Sequence, residues 1–158
     1  MLFYLLVVGY FQVEARKPNI LFFLVDDLGW SDVACFGSSF YETPNIDCLA
    51  SEGVKFTSGY AACHVCSPTR ASILTGKYPA TMNLTEWLNG RSDRPYQLLL
   101  NPDKAMTLDP KETTLAEVLR MEGYSTALFG KWHLGQNTSP TEHLSLIHIS
   151  EPTRPFHI

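Results

Sequence analysis

The segment 19–25 reads NILFFLV and closes on two adjacent carboxylates, Asp26 and Asp27. Six consecutive apolar residues cannot offer a wet face at any alternate position. A strand here must therefore be covered on both sides, which is the situation of a strand in a parallel sheet lined by helices. In open α/β sheets ligands sit beyond the carboxyl ends of the strands, so this run would deliver Asp26 and Asp27 to a site edge. Adjacent side chains of a regular strand diverge, and the pair could reach one cation only if the backbone breaks there; Leu28-Gly29 supplies such a break.

The rest of the chain follows the same α/β logic. Thr43 as N-cap and Pro44 at the first helical position open a short helix through Ile46 and Leu49 that stops at Gly53. Residues 54–60 are expected to form a second strand, and residues 66–76 (CSPTRASILTG) a helix with Pro68 in its first turn and Gly76 as its stop. Residues 82–110 are rich in Asn, Asp, Pro and Arg and are expected to be a surface excursion, with Arg91, Asp93 and Arg94 solvated. Thr114-x-x-Glu117 is a capping box leading a helix with Leu115, Val118 and Leu119 on one face and Gly123 as stop, and residues 125–129 (STALF) form another buried-strand candidate.

The two ends read differently. Residues 2–8 (LFYLLVV) have the length of a signal-peptide core, and Val13-Glu14-Ala15 fits the cleavage rule, so residues 1–15 are expected to be a signal peptide and the product to enter a secretory, lysosomal or periplasmic compartment. Residues 144–154 (LSLIHISEPTR) match the translation of a transposase-type sequencing-library adapter, so residues 144–158 are expected to be foreign to the natural protein. Residues 16–143 remain as the truncated domain. With 12 Lys+Arg against 16 Asp+Glu, a net charge of -4 and no basic cluster, the chain lacks the concentrated positive field that nucleic acid requires.

Cys63-His64-Val65-Cys66 invites a zinc or redox reading, but a single C-x-x-C lacks a second pair of ligands. Cys66 instead stands at or just before a helix N-terminus, whose free N–H groups and dipole favour an anion, with Pro68 and Arg70 close behind. Lys131 and His133 follow the candidate strand at 125–129; were that strand to continue, they would share a face and both reach an anionic group, one as fixed charge and one as titratable base. Asn83-Leu84-Thr85 is a glycosylation sequon, and Asn137-Thr138-Ser139 a weaker one before Pro140.

Taken together, KPNILFFLVDDLGW, ETPNID, CSPTRASILTGKYP and GYSTALFGKWHLG resemble the type I sulfatases of the alkaline-phosphatase superfamily, from Lys17 to Gly135. The C-x-P-x-R core followed by Leu74-Thr75-Gly76 is similar to the signal at which a maturing enzyme oxidises the cysteine to formylglycine. The resemblance implies an α/β fold, an alkaline-phosphatase-like mixed sheet flanked by helices, of which only the N-terminal part is present. It implies that Cys66 becomes the formylglycine nucleophile. Asp26 and Asp27, with the residue-66 oxygen, would hold a divalent cation, Ca²⁺ by preference. Arg70 would support the formylglycine and its neighbouring carboxylates, Lys131 would contact a sulfate oxygen and the nucleophile, and His133 would bind and deprotonate the second hydroxyl. Thr69 stands where Ser is commoner in that motif. The further Asp-Asn pair and the additional His and Lys of the family's site are not identifiable here, so the chain is expected to be an inactive fragment of a sulfatase. Implied partners are a sulfated small molecule or glycan and the formylglycine-generating enzyme. The rival readings are a phosphodiesterase or phosphonate monoester hydrolase of the same superfamily, and a non-catalytic anion-binding remnant.

Overall fold

A computed structural model describes residues 17–135 and 147–149. The signal-peptide segment, the second sequon and most of the adapter-like tail lie outside the described residues. Three helices, α1 (Pro44–Glu52), α2 (Cys66–Thr75) and α3 (Leu115–Met121), and two short strands, β1 (Ala127–Phe129) and β2 (Ile147–Ile149), are joined by long loops with 3₁₀ turns at Ala34–Phe36 and Pro79–Met82. The strands pair in parallel, Ala127 opposite Ile147 and Phe129 opposite Ile149. The architecture is α/β, and β2 falls inside the tail that the sequence reading set aside.

Local chemistry accounts for most boundaries. Thr114 and Glu117 close a reciprocal capping box, the Glu117 carboxylate accepting from the Thr114 N–H at 2.6 Å and the Glu117 N–H donating to Thr114 Oγ1 at 3.3 Å. α2 ends at Gly76, whose φ of 70° is a left-handed conformation that glycine reaches without strain, and its N–H donates to the Ser72 carbonyl at 2.8 Å. α1 begins on Pro44 as expected, but Thr43 does not cap it with its side chain. That hydroxyl accepts from the Ala34 N–H at 2.9 Å and donates to Asp47 at 3.0 Å, while the same Asp47 oxygen accepts from the Cys35 N–H at 2.8 Å. The helix start is thereby tied to the preceding 3₁₀ turn.

The core is small: Ala71 of α2, Ala116 of α3, Leu84, Leu108, Trp132 and Leu134, with Leu74, Met82, Ala105 and Leu128 packed against it. One expectation is corrected by this. The stretch 82–110 is no surface excursion throughout, because Leu84, Leu88 and Leu108 are buried and anchor both of its ends; Arg91, Asp93 and Arg94 between them are exposed. The anchors were hidden by the polar composition around them. On α3 the buried residue is Ala116, while Leu115 and Val118 point outward, 50% and 46% exposed. Ala116 shares the core with Ala71 of α2, and Leu119 is half-buried.

Two predicted strands are absent. Residues 54–60 run as exposed loop and turn, and residues 19–25 form no ladder, with Leu21 at 80% and Phe23 at 77% exposure. A strand meant to be buried on both faces needs neighbours and covering layers, and the described residues do not supply them. Its placement nevertheless keeps parallel-strand logic. Lys17 reaches the carboxylate of Glu122 at 3.6 Å and Asp26 reaches Lys131 at 2.6 Å, two contacts with the same offset of 105 residues. The segment therefore runs parallel to 122–131, where β1 lies, and brings Asp26 to the carboxyl end of β1.

Candidate active site

At that end four parts of the chain converge. Arg70, one helical turn after Cys66 and so on the same face of α2, is buried. Its Nη1 donates to the Lys131 carbonyl at 2.7 Å and its Nη2 pairs with Asp26 Oδ1 at 3.2 Å. Lys131 Nζ takes the other oxygen, Asp26 Oδ2, at 2.6 Å. One carboxylate is thus held by two cations. Partial burial on its own pushes the Asp26 carboxyl up, but the hydrogen bonds and charges of Lys131 and Arg70 outweigh it and hold the group below its ordinary value of 3.8.

Cys66 occupies the first helical position of α2 and is half-buried, and the thiols of Cys35, Cys48, Cys63 and Cys66 are all free. Asp27 adopts a left-handed φ of 56°, so the break that lets adjacent carboxylates turn apart from strand geometry falls on Asp27 itself, and its side chain is exposed. His133 also has a left-handed φ of 56°, after Gly130 at φ 110°. The strand does not continue past β1, so Lys131 and His133 do not share a strand face. Trp132 between them turns into the core instead, and the kinked backbone rather than alternation directs its two neighbours.

His133 Nε2 lies 2.6 Å from the Leu88 carbonyl, which only a protonated nitrogen can satisfy. Nε2 therefore carries the hydrogen of the neutral ring, and Nδ1, buried and without a hydrogen-bond partner among the described residues, carries the lone pair. Burial lowers the His133 pKa from the usual 6.5, the contact with Leu88 opposes this, and the positive charges of Lys131 and Arg70 lower it further against the pull of Asp26. The ring is thus biased toward its neutral, basic form. Leu88 escaped the sequence reading because its contribution is a main-chain carbonyl. Ser67, fully buried beside Cys66, was missed likewise; its hydroxyl accepts from the Leu88 N–H at 3.1 Å.

The family model described as Sulfatase matches residues 18–145. The chain belongs to the sulfatase family. Human steryl-sulfatase is 43% identical over 123 residues, 78% of this chain and 20% of that protein, and human arylsulfatase A is 41% identical over 121 residues, 77% and 22% respectively. The chain thus spans about a fifth of the length of these relatives. A solved structure from work on glycosaminoglycan metabolism by Bacteroides thetaiotaomicron overlays with a TM-score of 0.72 at 31% identity, over 87% of this chain and 28% of that one. A structure of Ps i-CgsB in complex with k-i-k-neocarrahexaose overlays at 0.58 with 30% identity, over 75% and 23%.

Sulfatase membership implies a divalent cation. The carboxylate oxygens of Asp26 and Asp27 suit a hard cation in kind, but such an ion takes roughly 6–8 oxygen ligands. Among the described residues no three His, Cys, Asp or Glu side chains gather to hold one. Among the described residues Asp26 and Asp27 offer fewer oxygen donors than such an ion takes.

Proposed function

We propose that the protein to which this chain belongs hydrolyses sulfate esters at the cluster of Cys66, Arg70, Asp26, Lys131 and His133. The observation that carries this reading is the convergence on Asp26 of Lys131 and of Arg70, which stands one turn after Cys66 on α2. Two fixed cations and a helix dipole favour a tetrahedral oxyanion there. Matured to formylglycine, residue 66 would supply a hydrated aldehyde: one hydroxyl would attack sulfur and displace the substrate alcohol, which takes up a proton, and deprotonation of the second would break the C–O bond to sulfate as the aldehyde re-forms, water then restoring the hydrate.

The chain's own residues divide the remaining work. Arg70 fixes Asp26 and the Lys131 main chain at once, so the two cations keep their spacing. Lys131 sits 2.6 Å from Asp26 and is the cation free to lean toward a sulfate oxygen. The neutral ring of His133 offers the Nδ1 lone pair to a hydroxyl proton. A divalent cation, Ca²⁺ in this reading, would be held by Asp26, Asp27 and the residue-66 oxygen and would offset charge on sulfate; its remaining donors come from outside the described residues. Residues 16–143 alone are accordingly inactive.

The substrate is a sulfated small molecule or a sulfated glycan, and the formylglycine-generating enzyme acts on the chain in a secretory, lysosomal or periplasmic compartment. Among the described residues no helix is long and apolar enough to cross a membrane. The test is hydrolysis of an aryl sulfate against a phosphodiester model substrate by the natural protein with residue 66 oxidised. Preference for the sulfate ester supports the reading, and preference for the phosphodiester replaces it with a phosphodiesterase of the same architecture.

A further inference from the structure

Leu88 is held on both of its main-chain polar groups. Its N–H donates to Ser67 Oγ at 3.1 Å and its carbonyl accepts from His133 Nε2 at 2.6 Å, while its side chain is buried. Ser67 is fully buried on α2, immediately after Cys66. A path of two hydrogen bonds therefore joins the residue beside the nucleophile position to the imidazole, across a segment 21 residues away in one direction and 45 in the other.

We propose that Ser67 is a positioning residue that, through the main chain of Leu88, fixes the ring of His133 in the Nε2-protonated form and keeps Nδ1 as its basic nitrogen. This rests on the reading of His133 as the proton acceptor. An imidazole whose hydrogen can sit on either nitrogen presents its lone pair in the wrong direction part of the time, and a carbonyl at Nε2 removes that freedom. A carbonyl can do so only if it is itself immobile. Leu88 lies in a long loop with no helix or strand of its own, and the Ser67 hydroxyl, set on a helix, gives it a rigid anchor.

The test uses the natural protein labelled with ¹⁵N-histidine, His133 being identified by loss of its signals in His133→Gln. Long-range proton–nitrogen correlation is expected to show wild-type His133 protonated on Nε2 alone, and Ser67→Ala to show a mixture of the two tautomers with a roughly tenfold fall in kcat at unchanged KM. Ser67→Cys, which keeps the shape with a weaker acceptor, should fall between them, and it carries the comparison if Ser67→Ala does not fold. A wild-type ring protonated on Nδ1 overturns the proposal, as does an unchanged tautomer in the serine variants. His133→Ala separates the two claims. Undiminished hydrolysis there refutes the role of His133 in the reaction, whereas the tautomer readout stands or falls independently of activity.

Discussion

Asp26 is held by ion pairs to Arg70 and Lys131, while the apolar run whose end marked it as a candidate site carboxylate forms no strand ladder. The partners were legible because Arg70 sits in the C-x-P-x-R motif and Lys131 follows β1. The Leu88 carbonyl and the Ser67 hydroxyl were not, since a main-chain group or one serine carries no sequence pattern.

The charges make a pH prediction. Asp26 is depressed in the folded state, so its contribution to stability is present above 3.8 and is lost as pH falls through the folded value. His133 is also depressed; the unfolded chain binds its proton more readily, so stability is full above 6.5 and declines as pH falls toward the folded value. Denaturation midpoints should therefore fall on acidification in two windows. Asp26→Asn should flatten the lower window, and His133→Phe the upper one. Arg70→Lys keeps the charge but cannot span Asp26 and the Lys131 carbonyl together, and it should cost about 10²-fold in kcat/KM for an aryl sulfate.

Among the elements, α2 and α3 were nearly complete in the sequence because their ends are written in local chemistry: Gly76 in the left-handed region and the Thr114–Glu117 box. The segments 19–25 and 54–60 were misjudged because strands exist through partners, and periodicity describes only the strand's own side. Thr114→Ala removes one half of the box and should lower stability by about 1 kcal/mol in chemical denaturation. Leu84→Ala, at a fully buried position inside the polar stretch, should cost about 2–5 kcal/mol. A loss near zero would restore that stretch to the surface excursion its composition suggests.

At the scale of the whole molecule, the described residues gather the cations and the candidate nucleophile but leave large apolar surface uncovered, from Ile20 at 59% exposure to Phe129 at 68%. The chain spans about a fifth of the length of its relatives. Residues 16–143 alone should show no aryl sulfate turnover with added Ca²⁺, whereas a protein extended to its relatives' full length should. On the proposed function residue 66, once oxidised, is the nucleophile of a sulfatase. The rate of aryl sulfate hydrolysis measured against the fraction of formylglycine at residue 66, determined by peptide mass spectrometry across preparations of the natural protein, tests this. The expected rate is proportional to that fraction and vanishes with it. A rate that persists undiminished where residue 66 is an unmodified cysteine would contradict it.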